Sequence, residues 1–132
     1  MNKADLPFLS ILELSNLMAR KEVSPVEATE AYLERIESID SRLNAYVTVT
    51  AEEAMQTAKS AEQEILQGNH RGPMHGVPIA VKDQIQTAGI LTTGGSPVFN
   101  NNIPTEDATV ITKLKAAGAV LLGKLNMTEF AT

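Results

Sequence analysis

A strand–helix–strand pattern in the second half of the chain constrains the fold more than any other feature of the sequence. The apolar run at residues 77–81 is typical of a strand buried on both faces, and residues 119–122 form a second run of this kind. Between them, Thr105 precedes a helical pattern that has acidic residues in its first turn and ends at Gly118. This order predicts a βαβ unit, and therefore a parallel strand pair with a right-handed crossover. The expected fold class is α/β.

The first 68 residues predict three helices, each with its own start signal. Ser10 and Ser24 each begin a capping box, in which a serine hydroxyl and a glutamate three residues later satisfy free amide groups. A third helix is predicted to follow Thr50 and to end at Gly68. Residues 43–49, between the second and third helices, are a candidate strand because they include β-branched and aromatic side chains.

We expect residues 1–132 to be one segment of a single domain. Residues 1–68 are mainly helical in this prediction, and residues 69–132 form the βαβ unit with a long irregular loop at 83–104. A loop of that length in a compact domain usually signals either function or disorder. Two apolar strands alone leave both faces and both edges of a sheet uncovered. The sequence is therefore expected to be the N-terminal part of a larger α/β domain.

The composition excludes several classes of protein. The chain has 132 residues and a formal charge of −5, with no block of basic residues, so we do not expect nucleic acid to be a partner of this chain alone. It contains no cysteine, which excludes disulfides, thiolate nucleophiles and cysteine-ligated zinc, and its two histidines are too few for a histidine-rich metal site. No apolar run is long enough to span a membrane. We expect a soluble, cytoplasmic protein.

Lys82 is the main candidate for chemistry because it ends the first apolar strand. Ligands of open α/β sheets collect at the carboxyl ends of the strands. One interpretation is a solvated lysine that only marks the end of the strand. The other is a lysine in a dry site, where desolvation favours the neutral amine and allows it to act as a general base.

Residues 76–83, Gly-Val-Pro-Ile-Ala-Val-Lys-Asp, resemble the motif around the catalytic lysine of the amidase signature family. Further matches follow in order at residues 92–96, 104–110 and 116–127. The resemblance implies an α/β/α fold with a large mixed sheet, and amide cleavage by a Ser–cis-Ser–Lys triad through an acyl-enzyme. It implies no metal or organic cofactor. It also implies that Lys82 is the triad lysine, which draws a proton from the bridging serine.

Neither serine of the triad is expected in this chain. In the family, the Gly/Ser-rich segment that carries both serines lies further downstream, and none of the seven serines here has such a context. Ser96 follows two glycines, but it precedes a proline rather than a strand-to-helix elbow, which favours a turn residue. We therefore expect the 132-residue chain alone to be inactive.

Four further residues are weaker candidates. Asn126 and Met127 follow the second strand at the same end of the sheet as Lys82, and the resemblance places them at the substrate pocket; ordinary loop packing is the alternative. Asp83 either anchors the loop after Lys82 or is a solvated turn carboxylate. His75 is interpreted as a structural loop residue rather than a base.

The sequence thus favours a cytoplasmic hydrolase of a small-molecule amide. The family also includes the glutaminase component of tRNA-dependent amidotransferases, which releases ammonia from glutamine, although residues 92–96 and 123–127 are nearer to the general amidases. A hypothesis of another class is a non-catalytic module, or half of a split enzyme. The partner would then be the remaining C-terminal part of the enzyme, and a homo-oligomer is a further alternative. The sequence does not predict which amide is cleaved.

Overall fold

The computed structural model describes residues 2–132, and in these residues four α-helices and a three-stranded sheet alternate with three short 3-10 helices. The α-helices and strands are, in chain order, α1 (Ile11–Ala19), α2 (Pro25–Leu43), β1 (Tyr46–Val49), α3 (Ala51–Leu66), β2 (Pro78–Lys82), α4 (Thr109–Ala116) and β3 (Val120–Leu125). The 3-10 helices are Lys3–Phe8, Pro97–Phe99 and Glu129–Ala131. Within this part of the chain, the helices are too short or too polar to cross a membrane.

The sheet is mixed and has the strand order β1-β3-β2. Strands β2 and β3 are parallel and are joined through α4, which confirms the predicted βαβ unit. Strand β1 pairs with the other edge of β3 in the antiparallel direction. At the carboxyl end of the parallel pair, Val81 lies opposite Lys124 and Lys82 lies opposite Leu125. Because partners across a ladder share a face and successive residues alternate, Lys82 and Lys124 project from opposite faces of the sheet.

A bulge in β3 sets this register. Between two pairing positions β2 advances from Ile79 to Val81, while β3 advances from Leu121 to Lys124, so β3 carries one extra residue. Gly123 lies in this stretch with a φ of +154°, and a Cβ placed there would overlap the Thr48 carbonyl oxygen. Only glycine lets β1 approach the backbone of β3 so closely.

The helix starts predicted at Ser10 and Ser24 are confirmed as complete capping boxes. At α2, the Glu27 amide donates to the Ser24 hydroxyl oxygen at 3.1 Å, and the Ser24 amide donates to the Glu27 carboxylate at 2.8 Å. Both amides would otherwise lack an intrahelical partner. The third helix also begins after Thr50 as predicted, although the Thr50 hydroxyl donates to a carbonyl of β3 instead of capping the helix.

The start of α4 was predicted wrongly. The helix begins at Thr109 rather than just after Thr105, and its N-cap, Ala108, has no side chain that could cap it. The reason is that Asp107 binds elsewhere: its carboxylate accepts hydrogen bonds from the Ala88 amide at 2.8 Å and from the Lys115 ammonium at 2.6 Å. Residues 105–108 therefore connect the irregular loop to the helix instead of forming its first turn.

Two apolar clusters hold the helices against the sheet. The first joins the N-terminal helices and the C-terminal end of α3 to the start of β2, with the buried side chains Leu6, Leu14, Met18, Val23, Ala28, Ala31, Ile65 and Val77. The second packs Ala54 and Ala58 of α3 against Val120 and Leu122 of β3. These clusters leave the carboxyl ends of β2 and β3 to the polar residues described below.

Candidate functional site

Lys82 is the last residue of β2, and its side chain is exposed within the part of the chain that the structure describes. It lies level with Leu125, immediately before Asn126, so both predicted site segments are at the same edge of the sheet. The water-poor surroundings that a neutral amine requires are not formed by residues 2–132. The predicted role of Lys82 as a general base stays a prediction.

The lysine that is shielded from water at the carboxyl end of these strands is Lys124, which is not among the site residues predicted from the sequence. Its side chain is completely buried. The ammonium donates hydrogen bonds to the Ile85 carbonyl at 2.6 Å, to the Thr92 hydroxyl at 2.7 Å and to the Thr87 hydroxyl at 3.2 Å. All three acceptors belong to the irregular loop that follows Lys82, so Lys124 fastens that loop to β3.

Burial and a carboxylate act on Lys124 in opposite directions. Loss of hydration lowers the pKa of the Lys124 ammonium, and the nearby negative charge of Asp83 partly opposes this effect. Asp83 is also fully buried, and one of its carboxylate oxygens, Oδ1, has no hydrogen-bond partner among the described residues. A buried ammonium and a buried carboxylate thus lie under the same loop and compensate each other's charge.

Asp83 anchors the loop, which decides between the two interpretations of this residue. Its carboxylate accepts hydrogen bonds from the Thr93 amide at 3.1 Å and from the Thr93 hydroxyl. Both backbone polar groups of Asp83 are also hydrogen-bonded. The Asp83 amide donates to the Leu125 carbonyl, and the Asp83 carbonyl accepts from the Gly94 amide, both at 3.0 Å. The residue after Lys82 is therefore fixed both to β3 and to the glycine pair at 94–95.

Met127 packs against the glycine pair. Gly95 has a φ of +71°, and a Cβ there would lie 2.8 Å from the Met127 carbonyl oxygen. The Phe130 amide donates to the Gly94 carbonyl at 2.8 Å. This close backbone contact requires glycine, and it brings the segment after β3 beside the loop that begins at Lys82.

Asn126 is exposed, and its side chain is engaged in local hydrogen bonds. Its amide nitrogen donates to the Asn44 carbonyl at 3.0 Å, and its oxygen accepts from the Met127 amide at 2.8 Å. Ser96 is a loop residue as predicted: its hydroxyl oxygen accepts from the Val98 amide, and its hydroxyl donates to a Glu129 carboxylate oxygen at 2.6 Å.

His75 is a buried structural residue, as the sequence indicated. Its Nδ1 accepts a hydrogen bond from the Arg71 amide at 3.1 Å, and its Nε2 lies 3.3 Å from a Glu64 carboxylate oxygen. Burial lowers the pKa of His75, and the Glu64 charge opposes part of that shift. The ring lies at the amino ends of the strands, since residues 75–76 precede β2, so it takes no part in the edge that carries Lys82.

The sequence contained a signal for Lys124. A lysine that interrupts the run Val-Leu-Leu-Gly-Lys-Leu is unusual, because ionised side chains are rarely buried unless they are paired. Its acceptors could not be predicted, since Ile85, Thr87 and Thr92 lie 32 to 39 positions away in an irregular loop.

The fold and this edge define the class of the protein: an α/β domain whose polar site lies at the carboxyl end of a parallel strand pair, beneath a glycine-containing loop. The comparisons with known proteins identify the family. The family model described as Amidase matches residues 27–132. The chain belongs to the amidase family.

Curated relatives show which members the chain resembles. It is 52% identical over 123 residues to a glutamyl-tRNA(Gln) amidotransferase subunit from Geobacter sulfurreducens. This alignment covers 93% of the present chain and 25% of that protein. It is 48% identical over 127 residues to the protein of the same name from Moorella thermoacetica, covering 96% of this chain and 26% of that protein. The chain therefore spans about a quarter of the length of these relatives.

Solved structures agree with the fold. The native peptide amidase of Stenotrophomonas maltophilia superimposes with a TM-score of 0.88 at 33% identity, covering 95% of this chain and 26% of that one. A bacterial aryl acylamidase of the amidase signature family superimposes with a TM-score of 0.86 at 30% identity, covering 92% of this chain and 26% of that one. The expected fold, an N-terminal part of the amidase fold, is confirmed.

Proposed function

We propose that residues 1–132 are the N-terminal segment of an amidase domain that cleaves carboxylic amides, with Lys82 as its general base. The observation that carries this proposal is the position of Lys82 at the carboxyl end of β2, one residue before the loop that Asp83 fixes to Gly94. Family membership supports the reaction class.

In the proposed reaction, the neutral Lys82 amine accepts the hydroxyl proton of a bridging serine. The bridging serine takes the proton of a nucleophilic serine, which adds to the carbonyl carbon of the amide. The proton returns through the same relay to the leaving amine, and water then releases the acyl group from the serine ester. We expect both serines to come from polypeptide outside this segment. The 132-residue chain alone is accordingly expected to be inactive.

The packing of the segment after β3 against the glycine pair supports a role for Asn126 and Met127 in the substrate pocket. Met127 lies against Gly95, and Asn126 holds the start of this segment by bonds to its own neighbours. We propose that the half-buried Met127 side chain contacts the acyl group, and that Asn126 fixes the backbone beside it.

The test is the substitution Lys82→Met in the protein expressed from its complete reading frame. A methionine retains the length of the side chain but cannot take a proton, so turnover of a simple carboxamide such as benzamide should fall by about 10²–10⁴-fold. Lys59→Met, at an exposed lysine of α3, is the matched control and should leave the rate unchanged. Ammonia release measures both. A Lys82→Met enzyme with the wild-type rate would remove Lys82 from the mechanism.

A second candidate is supported by the level of identity. The curated relatives named as glutamyl-tRNA(Gln) amidotransferase subunits reach 52% identity, against 34% for the peptide amidase structure bound to chymostatin. The substrate would then be the side-chain amide of glutamine, and the protein would act with partner subunits in the cytoplasm, where charged tRNA is used. Ammonia release from glutamine, together with co-purification of partner subunits, would favour this candidate over a general amidase.

A further inference from the structure

A closed hydrogen-bond network surrounds the buried ammonium of Lys124. The Thr87 hydroxyl, which accepts from Lys124, donates in turn to the Ile85 carbonyl at 3.0 Å. The Thr92 hydroxyl does the same for the Ile90 carbonyl, also at 3.0 Å. Each threonine therefore bridges the ammonium to a loop carbonyl. We call Lys124, Thr87 and Thr92, with the carbonyls they bind, the lysine clamp.

The clamp uses every donor of a charged lysine. An ammonium has three N–H groups, and Nζ of Lys124 has three acceptors within 3.2 Å. A neutral amine could donate only two of these bonds. The unpartnered Oδ1 of Asp83 supplies negative charge nearby, so the geometry is that of a cation held in the interior as a structural centre.

We propose that Lys124 is a positioning residue for the amide-cleaving reaction: it holds the loop of residues 85–92 so that Lys82 and the glycine pair keep their relative geometry. This inference rests on the proposed function. Lys124 projects from the sheet face opposite to Lys82, so it does not reach the reacting atoms.

The path from the clamp to Lys82 is short. Thr92, a clamp residue, is followed by Thr93 and Gly94, which bind the carboxylate and the carbonyl of Asp83. Asp83 is the next residue after Lys82. Releasing Thr92 from the ammonium therefore loosens the contacts that fix the backbone at Lys82 and the loop at Gly94 together.

Substitutions at Thr92 and Lys124 separate the role of the clamp from its effect on general stability. Thr92→Val removes the hydroxyl while keeping the shape of the side chain, and Thr92→Ser retains the hydroxyl and should restore the behaviour of the wild type. Lys124→Met removes the ammonium itself, but it also leaves Asp83 as a buried charge without a cation. Thr112→Val is the matched control, because Thr112 is an exposed threonine whose hydroxyl bonds to the carbonyl of Ala108, the N-cap of its own helix, and to no clamp residue.

The first measurement is amide hydrogen exchange in the protein from its complete reading frame, which needs no activity. The amides of Thr92, Thr93 and Gly94 are hydrogen-bonded in the loop. In Thr92→Val they should exchange at least about ten-fold faster, while amides within α3 stay unchanged. Unchanged loop exchange in both Thr92→Val and Lys124→Met would overturn the proposal.

The second measurement is steady-state kinetics with the same amide substrate. Misplacement of a base predicts a fall in kcat of at least about ten-fold in Thr92→Val with little change in KM, and recovery in Thr92→Ser. Faster loop exchange with an unaltered kcat would overturn the positioning role. If the wild-type protein cleaves no amide, the proposed function and the catalytic part of this inference both fail, and the exchange experiment still decides whether Lys124 holds the loop.

Discussion

At the scale of single residues, His75, at the amino ends of the strands, makes the stability of the fold depend on pH. The ring is 1% exposed and is bound as a neutral imidazole, with Nδ1 accepting from the Arg71 amide. Protonation would remove that acceptor and place a charge in the interior, although Glu64 would partly compensate it. The folded state therefore resists taking up a proton that the unfolded chain accepts at an ordinary histidine pKa.

This gives a prediction for stability between about pH 7.5 and 5.5. The folded-state pKa of His75 lies below its ordinary value of 6.5, so its contribution is complete above pH 6.5 and is lost as the pH falls below it. The free energy of unfolding should decrease, with a slope that approaches about 1.4 kcal/mol per pH unit. Urea titrations at several pH values measure this. The variant His75→Gln should be less stable at the upper end of this range and should lack most of the slope.

The ionisation state of Glu64 does not change over this pH range. Its pKa is lowered chiefly by the hydrogen bond from Arg71, so it remains ionised throughout the range. Its own contribution would be lost only as the pH falls below the ordinary glutamate pKa of 4.5. A stability that stays flat across the range would mean that the interior accommodates a charged His75.

The sequence predicted that polar residues lie at the carboxyl ends of the strands, but not which of them are buried and which are exposed. The position of Lys82 after an apolar run makes it a candidate, and the position of Asp83 next to Lys82 does the same for that carboxylate. The difference between an exposed lysine at 82 and a buried one at 124 depends on which loop covers which face of the sheet. That depends on contacts between residues 32 to 39 positions apart, which no local pattern encodes.

At the scale of elements, the starts of α2 and α4 show how far a local capping residue determines where a helix begins. Ser24 accepts the Glu27 amide at the start of α2, whereas Thr105 lies four residues before α4 and is exposed. We expect Ser24→Ala to lower the free energy of unfolding by about 0.5–2 kcal/mol, because the Glu27 amide loses its side-chain acceptor. Thr105→Ala is the control and should change it by less than about 0.5 kcal/mol.

Chemical denaturation of both variants measures the comparison. Equal losses at the two positions would indicate that Thr105 supports α4 in a way that its hydrogen bonds do not reveal. The contrast also explains why the helices of the first half were predicted well. Each capping box there closes within four residues, whereas Asp107 at the start of α4 binds Ala88 across 19 positions.

At the scale of the whole molecule, apolar side chains remain on the surface of the described residues. Val47 and Val49, on the outer strand β1, are each 42% exposed, and Phe99 and Phe130 are about half exposed while they contact each other edge to face. Exposed apolar groups and an unpaired strand edge each favour association.

We therefore expect the 132-residue chain, produced by itself, to self-associate. Size-exclusion chromatography with light scattering should give a mass above 14.2 kDa at tens of micromolar protein. The double variant Val47→Thr, Val49→Thr keeps the β-branched shape and should shift the chain towards monomer, with circular dichroism as the check on folding. A wild-type chain that is monomeric and melts cooperatively would contradict this and would support the interpretation as an independent module.

The fold class and the parallel pair were predictable at this scale, because they depend on apolar runs and on the handedness of crossovers. The antiparallel pairing of β1 was not, since β1 is only four residues long and its partner lies more than 70 positions away.

The additional residue at Gly123 makes the length of β3 as important as its composition. In a regular strand, Leu121 and Lys124 would point to opposite sides, and the bulge allows both to share one side. Removing or adding one amino acid between them would swap interior and exterior for the rest of the strand, turning the cation of the clamp outward. Within residues 120–125, a single codon gained or lost would therefore dismantle the support beneath Lys82.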